Sequence, residues 1–137
     1  MQITAFDQSF SICKMRSLPT EAPKGAFWFA AQTDEEFSFV CQSEFVPQDV
    51  MERSDHWRAM RIEGVLDFSL VGILAGITDV LSRSSIPVFA VSTYNTDYIF
   101  VQSESFERAL EALCTAGYSI LRADIPSRFT GVWEGNT

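Results

Sequence analysis

Sliding this sequence along itself by about 60 positions lays one stretch on another without a gap. Phe29-Ala30 falls on Phe89-Ala90, Thr33 on Thr93, and Gln42-Ser43-Glu44 on Gln102-Ser103-Glu104. The surrounding pattern agrees: an apolar run, a polar turn just past the Thr, a second apolar run, then an acidic helix start. A repeat of this period marks duplicated supersecondary units, each unable to bury its apolar face alone. It directs attention to the joint between copies, where a small ligand or a partner chain would sit.

The later copy is the more complete. Trp57 to Leu66 alternates, with Ala59, Arg61 and Glu63 against Met60 and Ile62, and predicts a strand. Leu70, Ile73, Leu74, Ile77, Val80 and Leu81 recur at helical spacing, predicting a helix from Ser69 to Ser84 with Asp67 or Ser69 as N-cap. Ile86 to Thr93 and Asp97 to Gln102 are β-branched and aromatic runs around the turn residues Tyr94-Asn95-Thr96. Phe106, Ala109, Leu110, Leu113 and Cys114 form a second helical stripe, which Gly117 ends, and Tyr118 to Arg122 suits a closing strand. The order is βαββαβ, a ferredoxin-like unit.

The earlier copy has the same skeleton with pieces missing. Phe10 to Met15 predicts a strand, but Pro19, Pro23 and Gly25 exclude a helix over Ser17 to Gly25. Phe27 to Gln32 and Phe37 to Gln42 predict a hairpin around Thr33-Asp34-Glu35-Glu36, and Pro47 stops any helix begun at Ser43. The expectation is an α+β protein of two fused ferredoxin-like units. The first, residues 1–56, is degenerate and lacks its first helix; the second covers 57–124; residues 125–137 form a C-terminal extension.

With 137 residues, 47% of them hydrophobic and including 12 Phe and 3 Trp, the chain has enough apolar volume for a core without metal or disulfide staples. The net charge of −8, with Lys and Arg scattered, lacks the basic footprint of a nucleic-acid or anionic-membrane binder. No apolar run reaches the ~20 residues of a membrane span, and the start MQITAFDQSFSICKM does not read as a signal peptide. Cys13, Cys41 and Cys114 are widely spaced beside apolar residues, as buried reduced thiols of a cytoplasmic protein would be.

Catalytic chemistry finds little support. His56 is the single histidine and has no motif around it, and no cysteine pair has zinc-finger spacing. Gly64, Gly72 and Gly76 do not make a phosphate-binding loop, and Gly72 and Gly76 suit close helix–sheet packing instead. Asp67 and Asp97 are a third option, a carboxylate pair. A more coherent cluster joins a strand-to-helix loop, Val65-Leu66-Asp67-Phe68-Ser69, to the strand end Ser92-Thr93-Tyr94-Asn95-Thr96-Asp97. Free N–H groups at a helix start hold a carboxylate, and Asp97 or Asp67 pairs with an amine, so together they suit a zwitterion. The competing reading is that Asp67 caps the helix and Thr93 to Asp97 merely turn a hairpin.

The segments Trp57 to Leu74 and Ile86 to Val101, above all the run Ser92-Thr93-Tyr94-Asn95-Thr96-Asp97 after a β-branched strand, resemble the ACT-domain superfamily. More narrowly they resemble small bacterial tandem-ACT proteins related to the ACT modules of cytosolic arginine sensors and aspartokinase regulatory regions. The resemblance implies ligand binding without catalysis, with amino acids as effectors seated between ACT units. By position, the site residues are Val65, Leu66, Asp67, Phe68 and Ser69 on one side and Ser92, Thr93, Tyr94, Asn95, Thr96 and Asp97 on the other. Asp97 stands where the arginine sensors contact a cationic ligand group. The first copy departs from the pattern, and within these 137 residues no output domain is expected. The expectation is a cytoplasmic homodimer that binds an amino acid, with no cofactor, metal, membrane or nucleic acid. The alternative is a protein-interaction module with an empty site.

Overall fold

The computed structural model describes residues 1–64 and 71–123. Its elements run β1 (Gln2–Met15), β2 (Phe29–Gln32), β3 (Phe37–Gln42), β4 (Glu52–Ile62), α1 (Ile73–Arg83), β5 (Phe89–Ser92), β6 (Asp97–Gln102), α2 (Phe106–Thr115) and β7 (Ser119–Ala123). Short 3-10 turns at Ser43–Phe45 and Ser103–Ser105 follow β3 and β6. The fold is mixed α+β, dominated by antiparallel sheet and consistent with a ferredoxin-like plan. Among the described residues it divides into two compact units, one formed by Met1–Asp7 with residues 58–123, the other by Gln8–Trp57.

In the unit that starts again at Arg58, the strands lie in the order β5, β6, β4, β1, β7. The expected βαββαβ elements are present, and the beginning of β1 adds a strand that the alternation does not predict. Gln2 to Phe6 pairs in parallel with Ser119 to Ala123, so the closing strand lies along β1 rather than β4. The reason lies in the alternation of β1: Ile3 and Ala5 point to the helix-covered face and are fully buried there. They join Met60, Ile62, Ile99 and Val101 from the sheet, and Ile77, Leu81, Phe106, Ala109 and Leu113 from the helices. Emptying a position such as Phe106 costs about 3–5 kcal/mol in cores of this kind. Phe106 also lies under the Arg58 guanidinium, 3.9 Å from its ring centre, and Arg58 donates to the Phe6 carbonyl at 3.0 Å. Cys114, which its spacing assigns to the α2 stripe, is exposed, because Leu113 fills the buried position at that turn.

Helix α1 begins at Ile73 rather than Ser69, with Gly72 as its N-cap at φ +82°. Asp67 and Ser69 are therefore not the cap residue, and both lie outside the described residues. The left-handed backbone at Gly72 explains the glycine, since a side chain there costs roughly 1–2 kcal/mol. Among the described residues an added Cβ would meet nothing within 4 Å, so the conformation rather than close packing accounts for it. Gly76 does fit the packing reading, because a Cβ there would lie 3.1 Å from the Tyr118 hydroxyl.

The unit Gln8–Trp57 contains no α-helix. Strands β2, β3 and β1 are neighbours, with Phe29 opposite Val40 and Phe10 opposite Gln42. Only 13 residues, 16–28, join β1 to β2, and the prolines among them keep that link irregular. One face buries Cys13, Met15, Phe39 and Cys41 under Trp28, Phe37, Val46 and Val50. The start of β4 reads as polar, yet it is held to β1: the Met51 N–H donates to the Lys14 carbonyl at 2.9 Å. The fully buried Ser11 hydroxyl donates to Asp55 at 2.5 Å, and Arg53 grips the same carboxylate at 2.9 Å. These bonds hold Asp55 below the usual carboxylate range, Ser11 contributing most and Arg53 next.

The two hairpins have the same local structure. Strands β2 and β3 and their 3-10 turn occupy 29–32, 37–42 and 43–45, while β5, β6 and theirs occupy 89–92, 97–102 and 103–105. Cross-strand registers shift together, Gln32 opposite Phe37 and Ser92 opposite Asp97.

Candidate functional site

Of the two stretches expected to form a ligand site, Val65, Leu66, Asp67, Phe68 and Ser69 lie outside the described residues. The other is the β5–β6 hairpin. Ser92 closes β5, Thr93 to Thr96 make the turn, and Asp97 opens β6 directly opposite Ser92. The turn depends on threonine at its first position. The Thr93 N–H and hydroxyl both donate to the Thr96 carbonyl, at 2.8 and 3.0 Å, while the Thr93 oxygen accepts from the Thr96 N–H at 3.3 Å. Such side-chain closure is why Thr and Asn are favoured here. Thr33 closes the β2–β3 turn in the same way, with bonds of 2.9 and 3.1 Å to the backbone of Glu36.

The two turns differ at their last residue and at the strand entry beyond it. Thr96 is buried, and its hydroxyl donates to the Ile62 carbonyl at 2.8 Å. Glu36, its counterpart, is exposed, and Phe37 stands where the later copy has Asp97. A site built on an acid at this position is thus confined to the later copy.

The Thr96–Ile62 bond fixes the hairpin turn to the last residue of β4. Around the strand exit lies a polar group that the sequence presents only as strand alternation. Arg61 donates to Glu63 at 2.9 Å, and Thr4 and Tyr98 contribute hydroxyls to the same network. Burial pushes the Glu63 carboxyl up, but the Thr4 hydroxyl and the Arg61 guanidinium together hold it below its ordinary value. Arg61 also lies over the Phe6 ring at 5.0 Å. Its charge is thus engaged, whereas Asp97 forms no ion pair among the described residues.

At α1, the first turn contains no acidic residue, and among the described residues no side chain caps it. Its leading N–H groups, at the positive end of the helix dipole, suit an anion. Among the described residues no group of three or more His, Cys, Asp or Glu side chains is placed to hold a metal ion, and no helix is long and apolar enough to cross a membrane. The lone histidine, His56, has a left-handed backbone at φ +70° and is exposed.

A second concavity is not legible in the sequence. In Gln8–Trp57, a cleft of about 580 Å³ lies between the loop Pro19–Lys24 and residues Glu44–Asp49, with Phe39 among its lining residues. It occurs in the unit that has no helix. The only signal pointing to it is the pair Pro19 and Pro23, which keep the first crossover irregular.

The ACT domain family matches residues 52–115. A solved structure of protein Atu0741 from Agobacterium tumefaciens is 30% identical, with a TM-score of 0.81 over 89% of this chain and 92% of that one. A Vibrio cholerae protein of unknown function, described as a possible transport protein, is 20% identical, with a TM-score of 0.65 over 81% and 85% of the two chains. The regulatory subunit of aspartate kinase from Thermus thermophilus, in a ligand-free form, shares the fold at 11% identity, with a TM-score of 0.61 over 84% and 96%. No curated protein matches the chain.

Proposed function

Because this chain carries an ACT domain and belongs to the same family as the Agobacterium tumefaciens protein, we propose that it is a non-catalytic regulatory module that binds an amino acid. ACT domains are generally regulatory small-molecule-binding modules, and the fold shared with an aspartate kinase regulatory subunit accords with that role. In this reading the ligand carboxylate is held by the loop Val65 to Ser69 and the start of α1. Its amine meets Asp97, and Ser92 to Thr96 supply further polar contacts. The protein acts as a cytoplasmic homodimer of tandem ACT-like units, residues 1–56 and 57–124, related to the modules of the arginine sensors, with 125–137 as an extension.

The observation that carries the reading is the hydrogen bond from Thr96 to the Ile62 carbonyl. It ties the turn bearing Asp97 to the strand end from which residues 65–69 continue. Among the described residues, a carboxylate without an ion-pair partner and a helix start without a side-chain cap offer the two charges a zwitterion needs. The test is a thermal-shift screen of the twenty amino acids. A ligand at 100 times its Kd stabilises by about 2.7 kcal/mol, and Asp97→Ala should abolish that shift. No shift with any amino acid contradicts the proposal.

A second reading is an interaction module without a ligand, for which Val71 and Tyr94, 89% and 79% exposed on the same unit, would be contact residues. Large exposed apolar groups mark contact surfaces when they cluster.

A further inference from the structure

Two of the three cysteines meet in the unit Gln8–Trp57. The register of β1 with β3 sets Cys13 opposite Phe39 and Cys41 opposite Ser11. Cys13 and Cys41 are therefore diagonal neighbours on one face of adjacent strands. Both are almost fully buried, at 2% and 1% exposure, in a single cluster. The Cys41 thiol donates to the Cys13 sulfur, which lowers the Cys13 thiol against burial, while the same bond and burial push the Cys41 thiol up. A buried cysteine ordinarily serves as a small apolar side chain. Two in mutual contact on adjacent strands are instead candidates for a disulfide.

We propose that Cys13 and Cys41 are a reversible oxidation site, closing to a disulfide between β1 and β3 when the protein meets a hydroperoxide. The Cys13 thiolate attacks one peroxide oxygen, the O–O bond breaks, and the displaced hydroxide takes up a proton to leave as water. Cys13 becomes a sulfenic acid. The Cys41 sulfur then attacks the Cys13 sulfur, the S–OH bond breaks, and the departing hydroxide takes the Cys41 proton as a second water. Two thiols and one hydrogen peroxide thus give one disulfide and two waters, the sulfurs being oxidised and the peroxide oxygens reduced. The sulfurs must close to about 2.05 Å, which draws β1 and β3 together at this diagonal. Phe39, itself 1% exposed, belongs to the same cluster and also forms part of the wall of the 580 Å³ cleft, so the pair lies behind that wall.

Cys114, which is exposed in the other unit, supplies an internal comparison. The experiment treats the intact, reduced protein with graded hydrogen peroxide, blocks remaining thiols with an alkylating agent under denaturing conditions, and maps peptides by mass spectrometry without reduction. The expected result is a cross-linked Cys13–Cys41 peptide within one chain, two hydrogens lighter than the sum of its parts and lost on adding dithiothreitol. In Cys114→Ser the cross-link should persist unchanged. Recovery of Cys13 and Cys41 in alkylated form, at peroxide concentrations that fully oxidise Cys114, overturns the proposal. So does cross-linking that runs only through Cys114.

Discussion

The Thr96 hydroxyl donates a 2.8 Å hydrogen bond to the carbonyl oxygen of Ile62, and Thr96 is 7% exposed. A bond buried this well matters twice: it anchors the β5–β6 turn, and it satisfies a main-chain acceptor at the end of β4. Replacing Thr96 with Val keeps the shape and removes the donor. Leaving a buried acceptor unpaired costs about 1–3 kcal/mol, so urea unfolding of Thr96→Val should show a loss of that size. Thr96→Ser, which keeps the hydroxyl, should recover most of it.

The paired turns give an internal control. Thr33 and Thr93 make the same closure, but Thr33 is exposed and its turn has no equivalent of the Thr96–Ile62 anchor. Thr33→Ala should cost no more than about 0.5 kcal/mol, as surface changes usually do. Thr93→Ala should cost more, about 0.5–1.5 kcal/mol. Equal losses in denaturant titrations would show that the anchor adds nothing to the later turn.

The glycines of α1 separate backbone conformation from packing. Gly72→Ala places a side chain at φ +82° and should destabilise by about 1–2 kcal/mol although no described residue lies within 4 Å of the new Cβ. Gly76→Ala gains helix propensity worth roughly 0.5–1 kcal/mol and asks only that the Tyr118 hydroxyl, 3.1 Å from the new Cβ, give way. The predicted outcome is a clear loss for the first and little change for the second, read as the midpoint of unfolding.

Glu63 sets an acid limit. Its carboxyl lies below its ordinary value of 4.5 when folded, the Thr4 and Arg61 contacts outweighing burial. A group with a depressed folded value binds fewer protons folded than unfolded, so its stabilising contribution is complete above about pH 4.5. It is lost as the pH falls through the lower folded value. In Glu63→Gln the stability-versus-pH curve should be flatter over that acid range, while at neutral pH the variant is the less stable. A wild-type curve that overlays the variant's below pH 4.5 and above it would remove Glu63 from the account.

Much of this architecture is legible in residue order, because where one face of an element is apolar the period shows it. The stripe Phe106, Ala109, Leu110, Leu113 marks α2, and the matched pairs Phe29/Phe89 and Thr33/Thr93 mark both hairpins with their register. The start of β1 is hidden, since Asp7, Gln8 and Ser9 interrupt its apolar pattern and mask that Ile3 and Ala5 belong to a core completed from Arg58 onward. The start of β4 is hidden for a related reason. Glu52 to His56 looks like a loop until Ser11 and Lys14 supply its partners. Helix α1 starts later than its pattern suggests because Asp67 and Ser69 resemble caps, whereas a left-handed glycine sets its N-cap. At the site, the Thr93 to Asp97 turn is legible from its residue types. The Thr4, Arg61, Glu63 and Tyr98 network is not, because separate strands assemble it.

The claim that an amino acid is held between the start of α1 and the Asp97 turn is tested most directly by mapping backbone amide shifts in an isotopically labelled sample. The titrant is the amino acid giving the largest thermal shift. The account predicts saturable changes concentrated at residues 65–73 and 92–97, absent in Asp97→Ala. Changes confined to the cleft between Pro19–Lys24 and Glu44–Asp49 would contradict it, as would a spectrum that no amino acid alters.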